Sequence, residues 1–381
     1  MNLFRIKARL LAPVLIQKNR QSNSSESLPY IPGSTLRGAV AMMAIRKGVL
    51  PESSEFQGLF IQNPVCFPDL LPADSDGFAE ILPLTAISCK RNPGFQTEGK
   101  HGVQDALPFL AAAALEQTSM AYAFSCMVCG QDTKPFYGFW NGSLSSPAQT
   151  DPVLLYQRHT GIDRHTGTVA NSIFYVTQGI AEGRKDVNGT FCDQFLGGSL
   201  WLTSQQEQLL NRWLAEPIFI GADRTRGMGE VEIRMEKAQE PPIDVIDWDR
   251  QFRKRIAGLV SHPLPNGLFF SVDFQSAGVF LDEFLRPSFD WKPDFPMVEE
   301  VIRIVRKQTV VGWNCAWQLS KPQDTAISPG SVYLFRYTGN DLYGLGDFLD
   351  QLQRSGVGLR KPEGFGRIRV CHPIHTKELI G

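Results

Sequence analysis

Four side chains in this sequence have the types and spacing of a metal site: Cys89, His101, Cys126 and Cys129, in the pattern C-x11-H-x24-C-x2-C. The Cys-x2-Cys half is the informative part. Two thiolates on a tight turn can face one tetrahedral ion, and Gly130 lets the chain turn away. Cys89 and His101 flank Lys90-Arg-Asn-Pro-Gly94, a run of turn formers that a metal clip would order. Four protein ligands leave no position for water, so the ion would be structural, and reduced thiols favour zinc over a disulfide. The competing reading is a loose cysteine pair with an unrelated histidine. Cys66, Cys192, Cys315 and Cys371 read as small apolar packing residues.

A second chemistry is written in residues 158–168, Arg-His-Thr-Gly-Ile-Asp-Arg-His-Thr-Gly-Thr. Arg158, His159, Arg164 and His165 sit among threonines and two glycines, too polar a run for a buried element. Such donors suit a loop gripping phosphates and riboses. Two alternatives stand beside binding: Asp163 could salt-bridge a neighbouring arginine and order the turn, or His159 or His165 could act as general base in RNA cleavage. No second acid or base is evident for that cleavage.

A third signal occurs twice. Residues 221–233 and 358–370 each place basic residues (Arg224 and Arg226; Arg360 and Lys361) before a Gly-apolar-Gly triplet (Gly227 and Gly229; Gly364 and Gly366) and then alternate as a strand. Glycines at positive φ could turn successive amides outward, and amides flanked by arginine seat phosphate. The duplication suggests two related halves and a polyanionic partner.

The totals bound these readings. The 381 residues allow two or three domains, and 43% hydrophobic with 20% charged residues is ordinary for a globular chain. The net charge of -1 means that any RNA-binding surface must gather its cations locally. The sequence predicts a cytoplasmic protein: no signal peptide, no apolar run long enough for a membrane, and seven cysteines without a secretory signal.

The elements that must position these groups follow from patterning. Residues 2–16 read as an opening strand, 17–29 as a flexible loop, and Tyr30-Ile-Pro-Gly-Ser34 as a turn. Ser34 would cap a helix carrying Leu36, Val40 and Met43, with Arg37 near its positive end and within reach of the same ligand. Residues 66–150 read as a turn-rich insertion, 204–216 as a helix capped by Ser204, and 236–243 as a linker. The second half shows strands near 267–274, 300–306, 310–319 and 331–337, a helix near 341–354 and a strand at 366–371. The expected class is α+β with two ferredoxin-like domains, 1–236 with the zinc-binding insertion and 244–381.

Three segments carry a family resemblance: residues 30–38 (YIPGSTLRG), 158–167 (RHTGIDRHTG) and the glycine loops at 227–229 and 364–366, with Gly312-Trp-Asn314 and residues 327–333 (ISPGSVY) in support. They resemble the RAMP superfamily of CRISPR-associated proteins, and within it the two-RAMP-domain subunit of type III-D effector complexes. The resemblance implies a crRNA-binding subunit at the 5′ handle of the guide. Its partners would be crRNA, target RNA, backbone RAMP subunits and a large polymerase-cyclase subunit. Related subunits that cut target RNA carry an aspartate in the loop before the YIPGS turn; residues 17–29 contain Glu26 as their only acid. A non-catalytic scaffold is therefore expected. Processing of repeat RNA through the histidines and target slicing through Glu26 remain the alternatives.

Overall fold

A computed structural model of the chain describes residues 1–18, 26–73, 77–96, 99–117, 124–185, 189–314, 317–377 and 379–380. Most of the expected 17–29 loop, and Cys315, lie outside the described residues. The fold is mixed α and β, with antiparallel sheets. It divides into two compact units. Unit 1 comprises residues 1–79, 150–239 and 362–364; unit 2 comprises 80–149, 240–361 and 365–381.

Unit 1 is built on strands β1 (Asn2–Leu10), β2 (Leu71–Ala73), β3 (Phe195–Leu202) and β4 (Glu230–Ala238), in the order β4-β1-β3-β2, with the short strand Ile218–Phe219 outside β4. All pairs are antiparallel. Helices α1 (Gly33–Arg46) and α2 (Ser204–Trp213) contribute Leu36, Val40, Leu210 and Trp213 to a core shared with Phe4, Ile6 and Leu200. Each fully buried aliphatic side chain stabilises this core by ~2 kcal/mol. Two caps differ from expectation. Thr203, not Ser204, caps α2 through a capping box with Gln206. Helix α1 begins at Gly33, one residue before Ser34, because Pro32 precedes it and Asp69 Oδ1 accepts from the Gly33 amide at 2.7 Å.

Unit 2 repeats that strand arrangement. Its strands β5 (Leu268–Phe274), β6 (Val298–Ile304), β7 (Val332–Tyr337) and β8 (Ile368–Val370) are ordered β8-β5-β7-β6, again antiparallel. Helix α4 (Leu342–Ser355) joins β7 to β8, as α2 joins β3 to β4. No helix lies between β5 and β6, where unit 1 has α1. Two other helices cover the sheet: α3 (Val245–Ala257), before β5, and the helix Leu107–Leu115. Leu107, Ala111 and Ala112 enter one core with Trp248, Phe252 and Ile302. The sequence places the insertion, residues 66–150, wholly in the first domain. Residues 80–149 instead group with unit 2, because their apolar helix is buried on that sheet.

Charge holds the same junction within unit 2. His375 is fully buried, with Nδ1 at 3.0 Å from Asp105 Oδ2 and Nε2 at 2.8 Å from Asp273 Oδ1. Burial alone would lower the imidazole pKa; the two carboxylates outweigh it and hold it up at about 10. His375 is therefore an imidazolium donating to both aspartates. Arg255 lies 3.7 Å from Asp105 and donates to the His375 carbonyl at 3.0 Å. Close by in sequence, the Ile374 amide donates to His372 Nδ1 at 3.1 Å, so His372 Nε2 carries the proton toward Glu80 Oε2, 3.0 Å away.

Candidate metal centre and nucleic-acid interface

The four expected ligands come together at the end of the strand Ala86–Cys89. Their ligand atoms all lie within 4.8 Å of one another. Cys89 Sγ is 3.7 Å from Cys129 Sγ, and Cys126 Sγ is 3.5 Å from His101 Nδ1. A tetrahedral zinc with ordinary bond lengths has S···S edges of about 3.8 Å and S···N edges of about 3.5 Å. The donor set fits such an ion. Backbone positions the ligands: the Cys126 amide donates to the Gln131 carbonyl at 2.7 Å, the Gly130 amide to the Cys126 carbonyl at 2.8 Å, and Gly130 takes φ +69°. The Asn92 amide donates to Cys89 Sγ at 3.5 Å and draws that thiol down to about 6. The Asn92 side-chain amide, 3.0 Å from His101 Nε2, fixes the ring so that Nδ1 faces the sulfurs.

The Arg-His segment forms a β-hairpin, not a loop. Strand Leu154–Ile162 pairs with strand Val169–Ile180, and Arg158 and His159 stand opposite Val176 and Tyr175. Asp163 orders the turn, but by accepting the amides of His165 (2.7 Å) and Thr166 (3.1 Å) instead of pairing with an arginine. Those two bonds hold its carboxyl below the usual range. Tyr156, Arg158, Thr160, Ile162 and Phe174 are exposed along the strands, and Arg164 and His165 on the turn. Neither Arg158 nor Arg164 makes an ion pair among the described residues. His159 stacks on Tyr175 with ring centroids 4.6 Å apart, and its Nε2 is shielded from solvent without a hydrogen-bond partner among the described residues.

The first glycine loop meets that hairpin through Tyr175: the Arg226 guanidinium lies 5.7 Å from the ring centroid. Arg224 and Arg226 are exposed on a single 3-10 turn, with Arg226 3.4 Å from Asp223 and Arg224 Nε donating to the Gly221 carbonyl. The amides behave otherwise than expected. Those of Arg226, Gly227 and Gly229 donate to the carbonyls of Asp223, Arg224 and Pro13. Gly229 is required because a Cβ would lie 2.3 Å from the Ile220 carbonyl oxygen; Gly227 (φ +79°) faces open space. Those three amides are spent within the protein, and the loop presents its two guanidinium groups at the surface.

The second loop is committed further inward. Arg360 is bound to Asp324 at 2.5 Å and lies over Phe365 at 4.5 Å, and Lys361 is half-buried. The Gly366 amide donates to the Ala277 carbonyl at 2.7 Å, and a Cβ at Gly366 would fall 1.7 Å from the Val357 carbonyl oxygen. Gly364 is likewise buried, its Cβ position 2.8 Å from the Phe67 carbonyl oxygen within unit 1. Arg37 also turns inward, donating to the Phe60 carbonyl at 2.9 Å over the Phe60 ring. Glu26 is exposed beside Lys18, 4.0 Å away.

The structure thus joins His159 with Arg226 through Tyr175, turns Arg37 onto Phe60 and Arg360 onto Asp324, and leaves Lys361 half-buried. Sequence reasoning missed Tyr175, the link between hairpin and loop. Its signal was the cross-strand position opposite His159, visible once a hairpin is drawn.

No family model matches the chain, and no curated protein matches it. Among solved structures it is similar to a chain of the Type III-B Cmr-beta bound to cognate target RNA and AMPPnP, with 13% identity, TM-score 0.43, and coverage of 91% of this chain and 93% of that one. A chain of the same complex bound to cognate target RNA gives 12% identity, TM-score 0.42, and coverage of 91% and 94%. Oligomeric Cmr4 from Pyrococcus furiosus gives 13% identity, TM-score 0.26, and coverage of 62% and 99%. Likeness of this degree leaves the function to be argued from the geometry.

Proposed function

We propose that the protein is a non-catalytic RNA-binding scaffold subunit of a type III CRISPR effector, built on two ferredoxin-like modules, that holds the 5′ handle of a crRNA. One observation carries the reading. In unit 1 the hairpin presents Arg158, Arg164 and His165 with the exposed rings of Tyr156 and Phe174, and Tyr175 ties it to Arg224 and Arg226. Exposed guanidinium groups meet phosphates, those of Arg158 and Arg164 without an ion pair among the described residues, and exposed aromatic faces stack on unpaired bases. The resemblance of the YIPGS, Arg-His and glycine-loop segments to RAMP proteins names the RNA. The zinc that Cys89, His101, Cys126 and Cys129 would hold is structural, fixing the fold of 80–149 without an open coordination position.

The test is co-purification. The expressed subunit, with its sister subunits, should retain a discrete short RNA. Arg224→Glu with Arg226→Glu should weaken RNA binding about tenfold and flatten its salt dependence. Recovery of the double variant with a full RNA complement and an unchanged salt slope overturns the proposal. Incubation with repeat RNA in EDTA should leave the RNA intact; cleavage that disappears in His165→Ala would make the protein a ribonuclease. Metal analysis should find one zinc per chain, lost with Cys126→Ser.

A further inference from the structure

Many cations of unit 2 are paired within it, and others, Lys254, Lys292 and Lys307 among them, are exposed without an ion pair among the described residues. Arg253, Arg255, Arg303, Arg336, Arg360 and Arg369 are paired with Asp249, Asp105, Asp290, Glu299, Asp324 and Glu240. Those charges are spent within the fold. Another set lies along and beside the segments that carry the four candidate ligands. Lys90 and Arg91 follow the ligand Cys89, Lys100 precedes the ligand His101, and Lys134 lies on the strand Thr133–Pro135 that pairs with the strand ending in Cys89. Arg306 reaches the same stretch, its guanidinium 4.4 Å from the centre of the Tyr137 ring. All five are exposed, and none makes an ion pair among the described residues. Across the described residues of 84–104 and 124–140, Asp132 is the only acid.

Five exposed cations without an ion pair among the described residues, on a chain with net charge -1, cost self-repulsion unless an anion meets them. We propose that this face of unit 2 is a second seat for the phosphates of single-stranded RNA, formed by Lys90, Arg91, Lys100, Lys134 and Arg306, with the exposed ring of Tyr137 available to a base. The inference rests on the RNA-binding reading above and adds a surface that lies outside the glycine loops and the hairpin. The metal centre then does more than hold its own fold. It fixes three chain segments whose cations would otherwise move independently, so one strand of phosphates meets them together.

The experiment uses the full chain, a short fluorescent single-stranded RNA and a salt series. Lys100→Glu, Lys134→Glu and Arg306→Glu together should weaken binding about tenfold at low salt. They should also reduce the slope of log affinity against log salt by about 2, since each phosphate contact on a single strand contributes about 0.7. Zinc content should be unchanged. Unchanged affinity and slope in this variant, with binding weakened in Arg224→Glu/Arg226→Glu, overturns the second seat and leaves the first. Unchanged binding in both variants overturns both. Should the triple variant lose its metal, Lys134→Gln with Arg306→Gln, away from the ligands, reads the same slope, and no change there overturns the proposal. Loss of an acidic protein partner with RNA binding intact also overturns it.

Discussion

The loops at 221–229 and 358–366 share a sequence pattern and differ in what they do with it. Each has basic residues, then Gly-apolar-Gly, then a strand. In the first, Arg224 and Arg226 stand in solvent and Gly227 faces open space. In the second, Arg360 is tied to Asp324 and Phe365, and Gly366 lies against the Val357 carbonyl. The difference teaches that a glycine-arginine turn is first a device for close backbone packing. Whether its cations are left for a ligand depends on an acid that can be far away in sequence, as Asp324 is from Arg360.

The largest expected effect tests the glycines. Gly366→Ala must relieve a Cβ placed only 1.7 Å from the Val357 carbonyl oxygen at φ +69°, and should cost about 4 kcal/mol or prevent folding. Gly227→Ala meets nothing within 4 Å and should cost about 1 kcal/mol, from its φ of +79° alone. Chemical denaturation of the two variants reads the contrast; equal losses would erase it.

Next comes pH. The unit that holds the second loop is pinned by His375, whose folded pKa of about 10 lies above its ordinary 6.5. A raised pKa means that the stabilisation is complete below about 6.5 and is lost as pH rises through about 10. Facing groups are Asp105, Asp273 and Arg255, and Arg255 keeps its charge throughout. The melting temperature of unit 2 should fall by about 5 °C or more between those limits. His375→Gln should be less stable at neutral pH and nearly flat across the window. In unit 1 the sign reverses: the lowered Asp163 pKa means that its turn holds above the ordinary carboxylate range and loosens only as pH falls below it.

The smallest effect separates binding from packing. Arg360→Ala should lower stability by about 1 kcal/mol, since its ion pair is partly exposed, and leave RNA affinity within about twofold. Arg224→Ala should do the opposite: little change in stability and a severalfold loss of affinity. Affinity loss of similar size in both would restore the two loops to equivalence.

What the sequence disclosed was local. The cluster of four candidate ligands was legible because two of them share one turn and all four lie in one segment. Helix α4 and strands β5 and β7 were legible from apolar spacing. Helix α3 was passed over although Trp248, Phe252 and Ile256 recur at four-residue spacing behind the capping Asp244. The Arg158–Thr168 hairpin read as a loop because polar residues occupy both of its faces, which removes the period-2 contrast on which strand recognition rests. The partners of His375 are Asp105 and Asp273, and no local pattern joins residues 270 positions apart.

The helix Leu107–Leu115 has a consequence for biosynthesis. It leaves the ribosome long before α3 and β6, the surface it must cover, have been made. Until then the nascent chain carries a greasy Ala-Leu segment with nowhere to dock, while β3 and β4 of the other unit are being made. Such delayed closure makes maturation slow and invites chaperone capture in the interval.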